Sequence, residues 1–297
     1  MTHRDDPDEW AGATSAAQVG NRVLRLPLRY PENACLASVH TADPEAVAAA
    51  LPSPELRPAR WVDGRALISV AAFRYRAVTT ADDPPGVLAP YGELAVAAVV
   101  TRGPAPRLLP LLRRRLPLFV LHLPVTTAEA RDAGRALWGF PKFVADMDFA
   151  EERPVRQVTL AEGSTTVLTL RVRGTGPVLS DRRPAVMYTA RQGELLETVV
   201  PMAGRLRLGL GRRAGGLELG DHPVARELRA MDVSSAPLVV FDYLEHRSLL
   251  PPGRPIGPAR DHPGHRGADR ESGRCTVRHP GTPPLDLCAR PVATGPR

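Results

Sequence analysis

The feature that most constrains the fold is a succession of short apolar segments separated by turns that are rich in glycine, proline or aspartate. Several segments have the length and composition of β-strands, as in NACLASVHT, ALISVAAFRYRAV and ELAVAAVVTRG. Further along the chain, pairs of alternating segments flank short turns, which predicts β-hairpins. This pattern extends almost without a break from residue 22 to residue 260 and predicts a single, mainly β domain of the α+β class.

Only three segments carry the signals of helices: DPEAVAAALP, TTAEARDAGRALWG and HPVARELRAMD. The first predicts a short helix with Asp43 as its N-cap and Pro44 at its first position. The second predicts a helix that begins after Thr127 and ends at Gly139. Three short helices cannot cover the edges of so many strands. We therefore expect an antiparallel sheet that closes, or nearly closes, into a β-barrel.

The two ends of the chain differ in composition from this central region. Residues 1–21 are polar and acidic without the apolar stretch of a signal peptide, and we expect a flexible leader there. Residues 261–297 are rich in proline, glycine and arginine with few bulky apolar residues. Such a segment buries too little surface to offset its ordering entropy, which predicts a disordered tail.

Charge and cysteine usage exclude several classes of protein. The formal net charge is +7, but the basic residues are dispersed and do not alternate with aromatic residues, so we expect no nucleic-acid partner. No apolar run approaches the roughly 20 residues that span a bilayer, so we expect no membrane association. The three cysteines have no metal-ligand spacing, which predicts a reducing, cytoplasmic location and no metal site.

One residue type points to chemistry. Lysine and arginine together number 39, and all of them except Lys142 are arginine. An arginine side chain stays charged, whereas a desolvated lysine amine can lose its proton and attack a carbonyl carbon. Lys142 lies in LWGFPKF, where Trp138, Phe140 and Phe143 surround it in a chain with only 5% aromatic residues. Apolar neighbours disfavour the ammonium form, so the pattern predicts a nucleophilic amine.

The segment GRALWGFPKF, residues 134–143, resembles the active-site segment of the acetoacetate decarboxylase family, in which a Gly-Arg-x-x-x-x-aromatic-Pro-Lys run ends in a lysine that forms a Schiff base. The segment APYGEL, residues 89–94, is similar to the family stretch whose glutamate faces that lysine. Further family-like segments occur in the expected order over roughly residues 22–255. The resemblance implies a β-barrel-like cone with flanking helices, a homo-oligomer, and no metal or organic cofactor.

The resemblance also implies the roles of individual residues. Lys142 and Glu93 are the implied catalytic pair, with Glu93 orienting the substrate and moving protons, and Tyr91 and Phe140 are candidates to line the pocket. A basic residue early in the family sequences helps to arrange the glutamate and the substrate carboxylate. Arg29 is the candidate for that role by residue type, whereas Asn33 is closer by position.

The expected substrate is a small β-keto acid or related oxo acid, which a Lys142 imine would decarboxylate. The lysine of family decarboxylases is typically followed by a second lysine, and here Phe143 stands in its place. Desolvation alone would then have to activate the amine. Two alternatives follow: an aldolase or dehydratase that uses the same imine without decarboxylation, or an inactive ligand-binding homologue in which Lys142 and Glu93 form a salt bridge.

Overall fold

The computed structural model describes residues 14–19, 22–80, 88–103, 115–260 and 277–278. The strands are β1 (Ser15–Val19), β2 (Arg22–Leu26), β3 (Leu28–Ala42), β4 (Leu56–Pro58), β5 (Ala66–Tyr75), β6 (Thr79–Thr80), β7 (Tyr91–Arg102), β8 (Leu116–His122), β9 (Asp146–Ala150), β10 (Arg156–Glu162), β11 (Thr165–Val172), β12 (Val178–Asp181), β13 (Ala185–Arg191), β14 (Glu194–Val200), β15 (Met202–Leu210), β16 (Gly215–Leu219), β17 (Val239–Leu250), β18 (Arg254–Pro258) and β19 (Val277–Arg278). The helices are α1 (Pro44–Ala50), α2 (Ala128–Trp138) and α3 (Pro223–Ala230).

The largest sheet contains twelve strands and has the order β12-β15-β17-β3-β5-β7-β8-β13-β14-β18, with β4 paired to β7 and β6 paired to β3. Its neighbouring strands are antiparallel except for β8 and β13, which are parallel. The prediction of a mainly β, sheet-rich domain with few helices is confirmed. The predicted closed barrel is not found: in the described part of the chain, no ladder joins the two end strands, β12 and β18. Both are short, and β18 carries Pro255 and Pro258, which lack the N–H that a further ladder needs.

A second sheet of four strands, ordered β16-β11-β10-β9, packs on one face of the large sheet. Its buried residues, such as Leu160 and Leu170, join a core with Val70 of β5 and Val96 of β7. Side chains alternate along a strand, so the intervening residues of β5 and β7 point to the opposite face. On that face Ala95 and other residues of β7 pack in a second core, which includes residues of α2. The candidate site lies on this second face.

The helix signals of the sequence are confirmed. Asp43 caps α1 by accepting hydrogen bonds from the N–H groups of the next turn, and Pro44 is its first residue. Thr127 caps α2 in the same way, and α2 ends at Gly139 in the left-handed conformation, with φ of 63°. A side chain at Gly139 would also approach the carbonyl oxygen of Ala190 to 2.9 Å. These caps fix where the chain leaves α2, which determines the position of Lys142.

Two short strands lie in the segments that flank the predicted domain of residues 22–260. Residues 1–21 were expected to form a flexible leader, but Ser15–Val19 form β1 and pair with β2. Within the expected tail of 261–297, Val277–Arg278 pair with β1, and the other residues of that segment lie outside the described residues. In the described ranges no helix is long and apolar enough to cross a bilayer.

A buried ion pair joins the two sheets. Arg156 of β10 is 5% exposed, and its Nη1 donates to Asp242 Oδ1 of β17 at 2.8 Å. The same nitrogen donates to the carbonyl oxygens of Tyr243 at 2.9 Å and Cys35 at 3.3 Å. The guanidinium therefore has partners on two strands of the large sheet, which satisfies a charge that is costly to bury.

We expect the Arg156→Ala substitution to lower the free energy of unfolding by about 3–5 kcal/mol, because it leaves the Asp242 carboxylate buried without its main partner. The matched control is Arg205→Ala, which removes an exposed pair with Glu245 at 2.9 Å and should cost less than about 1 kcal/mol. Urea unfolding of both variants measures the difference. Equal losses in the two variants would contradict this account of the sheet junction.

Candidate active site

Lys142 lies in the irregular segment between α2 and β9, and its backbone is held on several sides. Its N–H donates to the carbonyl oxygen of Phe140 at 2.8 Å, and its own carbonyl oxygen accepts from Arg135 Nε at 2.7 Å. The flanking residues Pro141 and Phe143 accept backbone hydrogen bonds from the segment that follows β8. The position of the lysine is therefore set by the end of α2 and by the neighbouring strand.

The Lys142 amine is buried against the carboxylate of Glu93. Nζ lies 2.7 Å from Glu93 Oε2, and the two residues are 4% and 7% exposed. The second carboxylate oxygen, Oε1, accepts a hydrogen bond from the Tyr75 hydroxyl at 2.9 Å. Nζ also lies 5.6 Å from the ring centroids of both Tyr91 and Phe140. The structure thus brings together four of the five residues that the sequence nominated or implied, namely Lys142, Glu93, Tyr91 and Phe140.

Three tyrosines form a cluster around the carboxylate. The hydroxyls of Tyr30 and Tyr91 are 3.1 Å apart, and the Tyr75 ring contacts both other rings. Burial is the main cause that raises the pKa of all three tyrosines, and the nearby Glu93 charge raises it further. For Tyr75 and Tyr91 the neighbouring tyrosine hydroxyls also raise the pKa. All three hydroxyls therefore stay protonated at neutral pH and can donate hydrogen bonds. Sequence reasoning missed Tyr30 and Tyr75, because only the strand register places them beside Glu93.

Gly134 makes room for the lysine side chain. A Cβ built on this residue of α2 would lie 2.5 Å from both Cδ and Cε of Lys142 and 3.1 Å from Nζ. Any larger residue at this position would force the lysine side chain to move. The glycine of the GRALWGFPKF segment is thus explained by the path of the lysine side chain across the helix.

Glu93 lies on the wall of a partly open cavity of about 120 Å³. Tyr30, Tyr75 and Phe140 line the same cavity, and most of the remaining wall is apolar. Lys142 is not among the described residues that line it, so its amine adjoins the cavity through Glu93. A ligand in the cavity would meet the carboxylate first and the amine behind it.

Arg29, the predicted substrate-binding residue, is not brought to the cavity. It is half-buried between Leu28 and Tyr30 on β3, both of which are buried. Because neighbouring side chains on a strand alternate, Tyr30 takes the cavity face and Arg29 takes the other. Asn33, the positional alternative, is buried with Nδ2 3.1 Å from His246 Nδ1. His246 does line the cavity, and burial lowers its pKa to about 4, so it is neutral at physiological pH.

Comparison with known proteins identifies the family of the chain. The sequence profile of the family described as acetoacetate decarboxylase (ADC) matches residues 18–236. The chain belongs to this family. Its matched region contains both Lys142 and Glu93. No curated protein sequence matches the chain.

Solved structures of family members and related enzymes share the fold. Acetoacetate decarboxylase from Legionella pneumophila is 17% identical with a TM-score of 0.58, and the match covers 78% of this chain and 88% of that one. An acetoacetate decarboxylase-like enzyme from Sphingomonas wittichii RW1 is 19% identical with a TM-score of 0.57, covering 78% and 93%. The enduracididine biosynthesis enzyme MppR, complexed with the condensation product of pyruvate and imidazole 4-carboxaldehyde, is 15% identical with a TM-score of 0.55, covering 78% and 90%.

Phe143, which stands where family decarboxylases typically carry a second lysine, packs beside α3. Its ring stacks on His222, with centroids 6.1 Å apart, and packs against the core between the sheets. His222 also caps α3 and lies 2.9 Å from Glu162 through its Nε2. The residue after the lysine therefore contributes to packing beside α3.

Among the described residues, no group of three or more His, Cys, Asp or Glu side chains is placed to hold a metal ion.

We expect Gly134→Ala to displace the Lys142 amine from Glu93, although alanine is the better residue for a helix interior. The added methyl group would overlap the lysine side chain, which is the flexible partner in the contact. A crystal structure of the variant should show the Nζ to Oε2 distance increased beyond hydrogen-bonding range. The control is Ala136→Ser on the same helix, which should leave the distance unchanged. An intact pair in Gly134→Ala would disprove the packing argument.

Proposed function

We propose that the protein is a Schiff-base-forming lyase that decarboxylates a small β-keto acid through an imine on Lys142. The observation that carries the proposal is the buried amine–carboxylate pair, with 2.7 Å between its atoms, beside a largely apolar cavity. Two buried charges are costly to keep, and a proton transfer from Lys142 to Glu93 converts them to a neutral pair. The neutral amine is the nucleophile that attack on a carbonyl carbon requires.

Glu93 serves as the proton carrier in the first half of the reaction. It takes one proton from the lysine ammonium, and the neutral amine then forms a bond to the carbonyl carbon, giving a carbinolamine. Glu93 returns its proton to the hydroxyl, which leaves as water, and the product is an iminium cation on Lys142. Because Glu93 lies on the cavity wall in front of the amine, this step requires its neutralised carboxyl to turn aside so that the carbonyl carbon reaches Nζ. The Tyr75 hydroxyl, 2.9 Å from Oε1, holds it in place between turnovers.

In the second half of the reaction, the iminium accepts the electron pair of the bond that breaks. The bond between the α-carbon and the carboxylate breaks, carbon dioxide leaves, and the electron pair moves to the nitrogen to give an enamine. The enamine carbon takes up one proton, which water supplies through Glu93. Hydrolysis of the resulting imine releases the ketone and restores the amine. An apolar site favours the charge-losing step, because the substrate carboxylate becomes a neutral gas.

A second candidate is an aldolase or dehydratase that forms the same imine without losing carbon dioxide. Two observations favour it. Phe143 replaces the second lysine that family decarboxylases typically carry, and one protein of the same fold, MppR, has been seen with a condensation product of pyruvate and an aldehyde. In that case Glu93 would remove a proton from the carbon next to the iminium, and the enamine would add to an aldehyde.

The test is reductive trapping. We expect incubation with acetoacetate or pyruvate and borohydride to leave one reduced adduct on each chain, at Lys142, and Lys142→Arg to abolish it while keeping the charge. The added mass is that of the substrate less one oxygen atom, and less carbon dioxide as well where decarboxylation precedes reduction. Glu93→Gln should slow trapping by about 100-fold or more, because the amide keeps the shape of the side chain but cannot accept a proton and return it. The control Arg135→Gln removes the hydrogen bond to the lysine carbonyl but leaves the amine and the Glu93 carboxylate in place, and it should retain the adduct.

Intact-mass spectrometry and release of carbon dioxide together distinguish the candidates. An adduct with release of carbon dioxide supports the decarboxylase, and an adduct without release supports the aldolase or dehydratase. Failure to trap any oxo acid across a panel would leave only the ligand-binding homologue, with Lys142 and Glu93 as a fixed salt bridge. Full activity in Lys142→Arg would exclude the imine mechanism.

A further inference from the structure

The cavity beside Glu93 offers no unmatched positive charge to the carboxylate of an incoming oxo acid. Among the described residues that line it, Arg183 is the only one with a fixed positive charge, and it binds both carboxylate oxygens of Asp181, at 3.0 and 3.2 Å. His246 also lines the cavity, but burial lowers its pKa to about 4 and keeps it neutral. A substrate carboxylate in this cavity therefore has to be held by uncharged hydrogen-bond donors.

The hydroxyls of Tyr30 and Tyr91 have one hydrogen more than their own contact uses. They lie 3.1 Å apart, and each carries one hydrogen, but the single hydrogen bond between them needs only one of the two. Both tyrosines are 4% exposed, and in the described part of the chain no other hydrogen bond of either hydroxyl is found. A buried donor without an acceptor costs free energy. The pair therefore has one hydrogen to donate to a ligand.

The cavity wall indicates which of the two tyrosines presents that hydrogen. Tyr30 lines the cavity beside Glu93, whereas Tyr91 is not among the described residues that line it. If Tyr91 donates to the Tyr30 oxygen, the Tyr30 hydrogen is available on the cavity side. A hydroxyl that accepts a hydrogen bond is in turn a stronger donor. Tyr91 thus strengthens the donor that faces the ligand.

Tyr30 also lies next to the residues that the proposed reaction uses. Its ring centroid is 4.3 Å from that of Tyr75, and the Tyr75 hydroxyl donates to Glu93 Oε1 at 2.9 Å. The hydrogen of Tyr75 is therefore already engaged, and Tyr30 is the member of the cluster with a hydrogen for the cavity. Burial raises the pKa of Tyr30, so the hydroxyl stays protonated and does not repel an anion.

Resting on the proposed function, we propose that Tyr30 binds the substrate carboxylate, its hydroxyl donating to a carboxylate oxygen while Tyr91 donates to Tyr30. The role that residue type suggested for Arg29 thus falls to the next residue of β3, which faces the cavity. An uncharged donor orients the carboxylate but stabilises its charge less than an arginine would. That charge disappears as carbon dioxide leaves, so weaker stabilisation of the bound carboxylate favours the step.

The first experiment compares two molecules of the same shape in the trapping assay. They are acetoacetate and 4-methylpentan-2-one, in which an isopropyl group replaces the carboxylate. We expect Tyr30→Phe to raise the half-saturating concentration of acetoacetate at least about 10-fold, because the carboxylate loses a charge-assisted hydrogen bond. The neutral ketone should be trapped by the variant as by the wild type, which also shows that the variant is folded.

The matched control is Tyr188→Phe, which removes a hydroxyl that donates to Glu197 Oε2 at 3.2 Å outside the cavity. It should leave the trapping of both molecules unchanged. Tyr91→Phe should weaken acetoacetate less than Tyr30→Phe does, because it removes the polarising bond and leaves the donor. A larger loss in Tyr91→Phe would overturn the assignment to Tyr30. Equal changes for acetoacetate and the neutral ketone in Tyr30→Phe would overturn the carboxylate contact.

The second experiment separates this inference from the proposed function. Butanoate has no oxo group and cannot form an imine, so its binding by calorimetry tests the carboxylate contact alone. We expect binding to the wild-type protein that weakens at least about 10-fold in Tyr30→Phe and is unchanged in Tyr188→Phe. Wild-type protein that traps acetoacetate, with no loss in Tyr30→Phe, would overturn the inference and leave the imine intact. Binding of butanoate that depends on Tyr30, without trapping of any oxo acid, would support the carboxylate contact and overturn the imine.

Discussion

The contact on which the site depends is the hydrogen bond between Lys142 Nζ and Glu93 Oε2, buried at a distance of 2.7 Å. Neither group would be stable alone in this environment, because an unpaired buried charge is costly. The pair is held by features of very different kinds: the end of α2 at Gly139, the missing side chain at Gly134, and the hydroxyl of Tyr75. Each of them positions one partner relative to the other, so the site is built from the helix, its terminal turn and the sheet together.

Side chains alternate between the two faces of the large sheet, so one face supports the fold and the other carries the candidate site. One face of β5 and β7 packs against the second sheet and is fully buried, which fixes the position and register of these strands. The other face carries Tyr75 and Glu93, together with Ala71 and Ala95, and all four line the cavity. Because the strands are held from behind, the cavity in front can stay open without loss of the core. The buried Arg156–Asp242 pair, with 2.8 Å between its atoms, ties the two layers together at the edge of this region.

The sequence predicts the parts of this structure that depend on local signals. The single lysine among aromatic residues marks the nucleophile, and the caps at Asp43 and Thr127 mark two helices. Tyr30 and Tyr75 carry no such signal, because they approach Glu93 only through the pairing of β3 with β5 and of β5 with β7. Arg29 is the reverse case: its residue type suits the role, but alternation along β3 turns it away from the cavity. Barrel closure also depends on long-range pairing, and β12 and β18 do not provide it in the described residues.

Because Lys142 is the only lysine, one labelled atom reports on the central claim directly. Protein grown with lysine labelled at the ε-carbon should give a single side-chain resonance in a carbon NMR spectrum. The account predicts that a saturating oxo acid, with no reductant present, moves this resonance to a new position as the amine becomes an iminium, and that the Glu93→Gln variant makes the change much slower. An unshifted lysine resonance in the presence of an oxo acid that calorimetry shows to be bound would contradict the account.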